Sequence, residues 1–468
     1  MTDTLAYNLA NQLVSESFSG GLLNGLTVTD GYDADLRRTN VSILNSQSAV
    51  LASTAYGYDA ASRLQTVSDG NGDSATYSYL ANSPLVGQIQ FEQNGATRMT
   101  TTKQYDYLDR LTEISSVPSA SYAPASTFNY SYNSANQRTK DTLADGSYWV
   151  YQYDSLGQVT NGVKYFADDT PVAGQQFQYL FDTIGNRTQT ESGGDQSGAG
   201  LRPASYSVNP LNQITQRDVP GYLNVIGVSY ATNVVTVNGD DAYRHGEYFR
   251  AEVPVNNSSS AQWQNITVAA NGQASVSGDE FVPQTPEGFS YDADGNLTSD
   301  GRFNYYWDAE NRLTNITSLA GAPAGSKVKV DFVYDYQGRR IQKTVWTNNG
   351  SAYVPEYTND FLYDGWNMIT VLNPGLRPLT SFTWGNDLSG SLQGAGGVGG
   401  LLEMSEYGSQ TTNCFVAFDG NGNVMALVNA ADGTLAAEYD YGPFGEPIRM
   451  TGPMARLNPF RFSTKYDD

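Results

Sequence analysis

The sequence repeats a short motif in which an aromatic residue, or in one copy a valine, is followed by aspartate or asparagine. Copies that begin 26 to 28 residues apart, such as those at Tyr32 and Tyr58 or at Tyr153 and Phe181, set the length of the repeating unit. A period of this length is typical of proteins that stack one supersecondary unit many times. The thirteen copies begin at Tyr32, Tyr58, Tyr105, Tyr132, Tyr153, Phe181, Val208, Tyr291, Trp307, Tyr334, Tyr363, Phe418 and Tyr439.

The fifth position of the motif indicates a tight turn. Among the first twelve copies, only Leu36 and Ser62 depart from glycine, asparagine or aspartate at this position. These three residue types tolerate a positive φ angle. We therefore expect the fifth residue to be left-handed and to close a three-residue hairpin loop. The other ten residues at this position are Gly157, Gly185, Gly295, Gly338, Gly422, Asn136, Asn212, Asn311, Asn367 and Asp109.

In such a hairpin the second position faces the sixth, and the first faces the seventh. This pairing places Asp59 opposite Arg63 and Tyr58 opposite Leu64, and each cross-strand pair contributes about 0.2–1 kcal/mol. The aspartate can also accept hydrogen bonds from turn N–H groups. Because it recurs copy after copy, we interpret it as turn chemistry rather than catalysis or metal binding. The structural repeat residues are Tyr58, Asp59, Arg63, Tyr105, Asp106, Arg110, Tyr153, Asp154, Gly157, Tyr291, Asp292, Gly295, Trp307, Asp308, Arg312, Tyr334, Asp335 and Gly338.

Many hairpins in series predict an all-β fold. Paired edge to edge, they would form a long, curling antiparallel sheet, as a shell or a solenoid, that buries its tyrosine and leucine face. The composition agrees, with 12% aromatic residues, 33 tyrosines and 47 glycines. A helical bundle would not carry so many glycines and β-formers, and a disordered chain would lack the aromatic residues.

Charge and residue counts exclude several functional classes. The 26 basic and 48 acidic residues give a net charge of −22, which disfavours nucleic-acid binding and association with an anionic membrane. A single cysteine cannot form an internal disulfide, and a single histidine cannot build a histidine-rich metal centre. We expect Cys414 to be a buried strand thiol and His245 to lie in a loop or an edge strand.

Other motifs identify no catalytic residue, cofactor or metal ligand. The segment Asp69–Asp73 resembles the start of a calcium loop, but Ser74 and Leu80 replace the glycine and the bidentate glutamate that an EF-hand needs. Incidental surface calcium binding stays open as an alternative. The glycine-rich run Gly394–Gly400 lacks the Lys-Ser/Thr of a phosphate loop.

At the motif residues the sequence resembles the YD-repeat, or Rhs-repeat, family, and the likeness extends over most of the chain. Near the C-terminus, Trp384–Gly394 is similar to the glycine-rich stretches that precede the family's core, and Phe418–Val424 is similar to the repeat that opens it. Tyr439–Pro447 resembles its "YDPFG" element, and Asn458–Ser463 its "NPFRFSG" element, with Thr464 in place of the last glycine. The resemblance implies repeats that form a spiralling sheet closing into a hollow shell.

The family includes bacterial polymorphic toxins, cocoon components of insecticidal toxin complexes, and teneurin adhesion receptors. In the toxin members the resemblance implies a shell around a C-terminal cargo and a core that acts as an aspartyl autoprotease. The acidic residues of that protease lie in a "DPxG"-type segment beyond the last element seen here. We therefore expect this chain, which ends at Asp468, to hold no residue of the protease.

The motif divides the chain into three predicted parts. Residues 1–218 carry the first repeats. Residues 219–286 lack the motif and are either a small inserted β module or degenerate repeats, with strands at Val225–Tyr230, Asn233–Val237, Tyr248–Val253 and Trp263–Ala269. Residues 287–468 return to repeats and run into the start of the core.

Two functions remain open from the sequence. The first is a non-catalytic shell segment of a larger secreted or cell-surface protein, with its own C-terminal cargo or neighbouring segments as partners. The second is an extracellular scaffold or adhesin whose open sheet edges favour homo-oligomers or filaments. A sugar-binding or glycoside-hydrolysing enzyme is disfavoured because the aromatic residues recur at core-facing repeat positions. Residues 1–24 show no basic region and no long apolar core, and no stretch approaches 18 apolar residues, so we expect no signal sequence and no membrane-inserted segment within these residues.

Overall fold

The computed structural model describes residues 1–468, and the protein consists almost entirely of β-strands. A 3₁₀ turn at Phe462–Thr464 is its one helical element. No helix has the length and apolar character to span a membrane. The predicted all-β class is confirmed.

The first long sheet is a meander in which every strand from β1 to β18 pairs antiparallel with the next, and β26 (Glu287–Gly288) adds to β18. Its strands are β1 Thr2–Tyr7, β2 Leu13–Ser19, β3 Thr27–Tyr32, β4 Arg38–Leu44, β5 Val50–Tyr58, β6 Leu64–Ser68, β7 Asp73–Tyr79, β8 Val86–Gln93, β9 Ala96–Tyr105, β10 Leu111–Pro118, β11 Ser126–Tyr132, β12 Arg138–Leu143, β13 Tyr148–Tyr153, β14 Val159–Tyr165, β15 Pro171–Phe181, β16 Arg187–Gly193, β17 Leu201–Val208 and β18 Ile214–Arg217.

Two small sheets separate the first long sheet from the second. One has the order β19-β23-β22 and the other β21-β20-β24-β25, and their strands lie within the 219–286 segment that lacks the motif. We call them the inserted sheets because they lie between the two long sheets along the chain. Their strands are β19 Tyr222–Val228, β20 Val235–Val237, β21 Asp240–Asp241, β22 Tyr243–His245, β23 Tyr248–Pro254, β24 Gln262–Ala270 and β25 Val276–Val282.

The second long sheet is a fourteen-stranded meander of the same kind. Its strands are β27 Ser290–Tyr291, β28 Leu297–Ser299, β29 Phe303–Trp307, β30 Leu313–Ser318, β31 Val328–Tyr334, β32 Arg340–Asn348, β33 Tyr353–Asp364, β34 Asn367–Leu372, β35 Pro378–Trp384, β36 Leu401–Tyr407, β37 Thr411–Phe418, β38 Val424–Asn429, β39 Leu435–Tyr441 and β40 Pro447–Thr451.

A bulge recurs beside the aromatic residue of the motif. The strand register shifts between Gly57 and Tyr58, between Tyr306 and Trp307, and again at the other copies. A bulge bends its strand and increases the local right-handed twist. Because the bulges repeat at one position of the unit, we expect their bends to add up along each sheet and to favour curling.

The second sheet packs against the first, and the contacts advance in step along both. Residues near the start of the first sheet contact the hairpin between β31 and β32 of the second, and later residues contact later ones. In chain order these contacts are Glu16 with Arg339, Arg38 with Asp364, Tyr130 with Gly420, and Tyr179 with Glu446. Two sheets that meet in this order follow one another like successive turns of a spiral.

The main core lies between the two long sheets. Its forty buried residues come from positions 18–99 of the first sheet and 341–460 of the second. Phe91 and Phe415 meet across the interface with ring centroids 5.2 Å apart. Each fully buried side chain of this size contributes about 1.5–3 kcal/mol. Cys414 is fully buried on β37, as predicted, and burial raises the pKa of its thiol to about 12.

Candidate functional site

The hairpin that begins at Tyr58 shows how the motif works. Tyr58 pairs with Leu64, and the Asp59 N–H donates to the Arg63 carbonyl at 2.9 Å. Asp59 Oδ1 accepts the N–H groups of Ala61 and Arg63 at 2.9 Å, and the Arg63 Nε donates to Asp59 Oδ2 at 2.8 Å. These bonds, led by the Arg63 backbone N–H, lower the pKa of Asp59. One carboxylate therefore both caps the loop and pairs with arginine.

The same bonds recur in the other copies. The second-position carboxylates of Asp106, Asp308 and Asp335 bond their sixth-position arginines Arg110, Arg312 and Arg339, with shortest oxygen–nitrogen distances of 2.6, 2.8 and 2.6 Å. In copies without arginine, Asp154 and Asp292 still cap the loops that Gly157 and Gly295 close.

The fifth position is left-handed in glycine and non-glycine copies alike. Gly157, Gly295 and Gly338 have φ angles of 84°, 88° and 81°. The two exceptions in the sequence rule, Leu36 and Ser62, take φ angles of 63° and 60°. The loop geometry is thus imposed by the whole hairpin, because neither residue prefers it.

In the copy that begins at Tyr363, the prediction that Asn367 is the left-handed residue is wrong. There Asp364 pairs directly with Asn367, and Gly365 carries the positive φ of 57°. A glycine at the first central position permits a two-residue turn. The loop is therefore shorter than in the other copies, and Asn367 belongs to a strand.

The last copy begins at Tyr441 and not at Tyr439, as the sequence analysis had it. Tyr441 pairs with Pro447, and Gly445 is left-handed with φ of 88°. In the predicted frame the left-handed position would fall on Pro443, whose ring fixes φ near −65°. Tyr439 lies in the strand instead, pairs with Met450 and is buried.

In most copies the aromatic residue of the motif also donates a hydrogen bond to the hairpin before it, which the sequence analysis missed. Phe181, Val208 and Phe418 have no side-chain donor and form no such bond. The Tyr58 hydroxyl donates to the Arg38 carbonyl at 2.8 Å, and the Trp307 Nε1 donates to the Leu297 carbonyl at 2.7 Å. The acceptor in nearly every case is the seventh residue of the preceding unit. The further pairs are Tyr32 with Leu13, Tyr105 with Val86, Tyr132 with Leu111, Tyr153 with Arg138, Tyr291 with Ile214, Tyr334 with Leu313, Tyr363 with Arg340, and Tyr441 with Val424.

Arginine adds a second link between neighbouring hairpins. The Arg63 guanidinium lies 4.2 Å from the ring centroid of Tyr79, and the Arg312 guanidinium lies 5.4 Å from that of Tyr334. Such cation–π contacts contribute about 0.5–1 kcal/mol at exposed sites. Aspartate, arginine and the next tyrosine thus form one connected chain from unit to unit. The sequence contains 33 tyrosines and 18 phenylalanines, and this excess was the signal that the tyrosine hydroxyl forms a hydrogen bond in the repeat.

One motif pair is buried and joins the two long sheets. Arg339 bonds Asp335 within its own hairpin and Glu16 on β2 of the first sheet. The exposed fractions of these side chains are 3% for Arg339, 0% for Asp335 and 5% for Glu16. In the copy that begins at Trp307, the equivalent Arg312 is 27% exposed. The same motif therefore acts within its own sheet at Arg312, whereas at Arg339 it also forms an ion pair that connects the two long sheets.

An open cavity of about 980 Å³ lies where the two long sheets and the inserted sheets meet. Phe128 and Lys164 line it from the first sheet, Ile226 and His245 from the inserted sheets, and Met425 from the second. His245 is in the edge strand β22, as predicted, and stacks on Phe166 with centroids 3.9 Å apart. The motif carboxylates are not brought together there, because each is bound in its own loop.

The fold and these contacts define a repeat protein of tandem β-hairpins. No family model matches the chain. The chain is similar to the tRNA3(Ser)-specific nuclease WapA of Bacillus spizizenii, with 31% identity over 186 residues, and to the tRNA nuclease WapA of Bacillus subtilis, with 29% identity over 186 residues. Each alignment covers 39% of this chain and 7% of the relative. The chain thus spans a small part of the length of the curated relatives it matches.

Among solved structures, the chain superposes along its whole length on the crystal structure of TcdB2-TccC3 with a TM-score of 0.37 and 10% identity, and covers 26% of that chain. The complex TcdB2-TccC3-Cdc42 gives the same TM-score and identity, with 25% of that chain covered. Superpositions as loose as these carry no argument about function.

Proposed function

We propose that this chain is a non-catalytic wall segment of a larger secreted or cell-surface protein of the YD-repeat, or Rhs-repeat, kind. The wall encloses or presents a C-terminal cargo of the same polypeptide. The observation that carries the proposal is the in-step packing of two long hairpin sheets over a shared core, with an open cavity of about 980 Å³ beside it. A spiral of this kind can be lengthened at either end by further units without changing its internal contacts.

The comparisons with curated proteins support a segment role. The matched relatives are named as tRNA nucleases, and the matched region is 7% of their length. In this chain the repeated carboxylates are engaged in loop capping and ion pairs. We therefore assign no nuclease chemistry to the hairpin motif, and place any such activity of a parent protein outside it.

The cavity lining suits a polypeptide partner better than a small ligand that is wholly apolar or carries charge of one sign. It mixes apolar side chains, such as Phe128 and Met425, with charged ones of both signs, such as Lys164 and Glu438. The surface of a cargo domain or of a neighbouring shell segment offers the same mixture. With a net charge of −22, the segment is not suited to nucleic acid.

A scaffold that self-assembles through sheet edges is the second candidate. Strand β1 pairs only with β2, β40 pairs only with β39, and β25, which pairs only with β24, is largely exposed. Edges of this kind can template pairing with another chain. Sedimentation velocity over a range of concentrations tests it, since a concentration-independent monomer contradicts self-assembly.

The intact mass of the native protein, isolated from its source, tests the wall-segment proposal. We expect a mass well above 50.7 kDa, because a parent protein must also carry the cargo. A native mass of 50.7 kDa would contradict the proposal and favour the scaffold.

A further inference from the structure

Three carboxylates outside the hairpin motif meet where the two long sheets join. Asp69 and Asp73 flank the turn between β6 and β7, and Glu403 lies on β36 of the second sheet. One oxygen atom from each lies within 4.8 Å of the other two. All three residues are buried, with exposed fractions of 7%, 1% and 3%. We call this group the junction cluster.

The junction cluster has no basic side chain to offset its charge. None of the three carboxylates forms an ion pair with lysine or arginine, and the charged groups that act on Glu403 are Asp69 and Asp73. Uncompensated buried charges are costly, so such a group needs a proton or a cation.

Unpartnered acceptors at the cluster point to a cation. Asp73 Oδ1 is buried and accepts no hydrogen bond, and the same is true of Asn413 Oδ1. Asn413 donates through Nδ2 to the other oxygen of Asp73. It pairs with Ser405, two residues from Glu403, so Asn413 and Glu403 lie on one face of the second sheet. One oxygen of the junction cluster itself, Asp73 Oδ1, and one amide oxygen on a neighbouring strand, Asn413 Oδ1, are thus without donors.

The geometry suits one ion with oxygen ligands. Ca²⁺ binds oxygen at about 2.3–2.6 Å, so ligands on opposite sides of it are about 4.6–5.2 Å apart. The spacing within the junction cluster falls inside that limit. A cavity of about 30 Å³ beside it, lined by Asp69 and Ser405, has room for water to complete the coordination. Mg²⁺ requires ligands at about 2.0–2.1 Å and dehydrates reluctantly, which makes it the poorer match.

We propose that Asp69, Asp73 and Glu403 bind a Ca²⁺ ion that ties the first long sheet to the second, with the Asn413 carbonyl oxygen as a further ligand. The EF-hand comparison rejected the Asp69–Asp73 segment because its own sequence lacks the closing glutamate. The structure supplies a glutamate from 330 residues further along the chain instead. The ion would be a structural clamp between the two sheets.

Isothermal titration calorimetry and thermal unfolding test the clamp on the full chain. The protein is freed of metal with EDTA, dialysed into 150 mM NaCl, and titrated with CaCl₂ or MgCl₂. We expect one Ca²⁺ site per chain, weaker Mg²⁺ binding, and a rise in the unfolding temperature with Ca²⁺. Sodium chloride suppresses loose association of Ca²⁺ with the acidic surface.

Two substitutions assign the binding to the junction cluster. Glu403→Gln should abolish both the stoichiometric binding and the thermal shift, while Glu406→Gln on the same strand should keep both. Glu406 is the matched control because it lies outside the cluster and accepts a hydrogen bond from Thr380. If Glu403→Gln does not fold, Asp69→Asn replaces it as the test variant. Absence of Ca²⁺ binding by the wild-type chain, or binding that survives in the variant, would overturn the proposal in favour of carboxyl groups that share a proton.

Discussion

Replacing the buried motif arginine should destabilise the protein far more than replacing its exposed equivalent. Arg339→Met leaves Glu16 and Asp335 as buried charges without a partner, whereas Arg312→Met leaves Asp308 in contact with water. Removing one partner of a buried ion pair costs about 3–5 kcal/mol. An exposed pair contributes about 0.2–1 kcal/mol. The two arginines are matched, because each bonds the aspartate of its own hairpin and lies over the next tyrosine, at 5.7 and 5.4 Å from the ring centroid.

Equilibrium unfolding in urea, followed by tryptophan fluorescence, measures the difference. We expect the free energy of unfolding to fall by about 3–5 kcal/mol for Arg339→Met and by no more than about 1 kcal/mol for Arg312→Met. The double variant Glu16→Gln, Arg339→Met should recover part of the loss, because it removes one of the stranded charges. Equal losses of unfolding free energy in the two single variants would refute the idea that burial, rather than the motif itself, determines how much the arginine–carboxylate pair stabilises the protein.

Three further predictions test the hairpin unit and the junction cluster. Tyr334→Phe removes the hydroxyl that donates to Leu313 at 2.7 Å and should cost about 0.5–1.5 kcal/mol in urea unfolding, whereas Tyr107→Phe, at a fully exposed ring, should cost nothing measurable. Gly338→Ala has open space for its Cβ but a φ of +81°, so we expect a loss of about 1–2 kcal/mol, with Gly338→Asn losing less. In EDTA, stability should fall as pH rises above the ordinary carboxyl range, because the folded protein with raised pKa values at Asp73 and Glu403 binds more protons than the unfolded chain. Thermal unfolding at several pH values checks the last prediction, and a slope unchanged in Glu403→Gln would contradict it.

The sequence predicted the parts of the fold that depend on neighbouring residues. Asp59, Ser62 and Arg63 lie within one loop, so their spacing alone determines which groups can meet. The frame failed where a local alternative was equally good. In the copy that begins at Tyr363, Gly365 takes the positive φ angle and forms a two-residue turn, so Asn367 is not needed as the left-handed residue. In the last copy, the predicted frame placed Pro443 at the left-handed position, which proline cannot adopt.

Contacts between distant segments could not be predicted from the motif. The Arg339 motif looks like that of Arg312 in sequence, and its burial depends on Glu16, which is 323 residues away. Likewise Glu403 reaches Asp69 and Asp73 only because the second sheet packs against the first. The repeated motif determines the structure of each hairpin and the order in which the hairpins pair. Which residues of the second sheet then contact a given hairpin of the first depends on how the two sheets pack, and the motif does not encode that.

Limited proteolysis of the native full-length protein tests the central claim most directly. The protein is digested under native conditions, and mass spectrometry follows peptides of this chain and of any segment C-terminal to it. If the hairpin sheets form a wall, that segment should resist cleavage until the wall is opened by urea, and it should then be cut at once. A C-terminal segment that is cleaved at the same rate with and without the folded sheets would contradict enclosure.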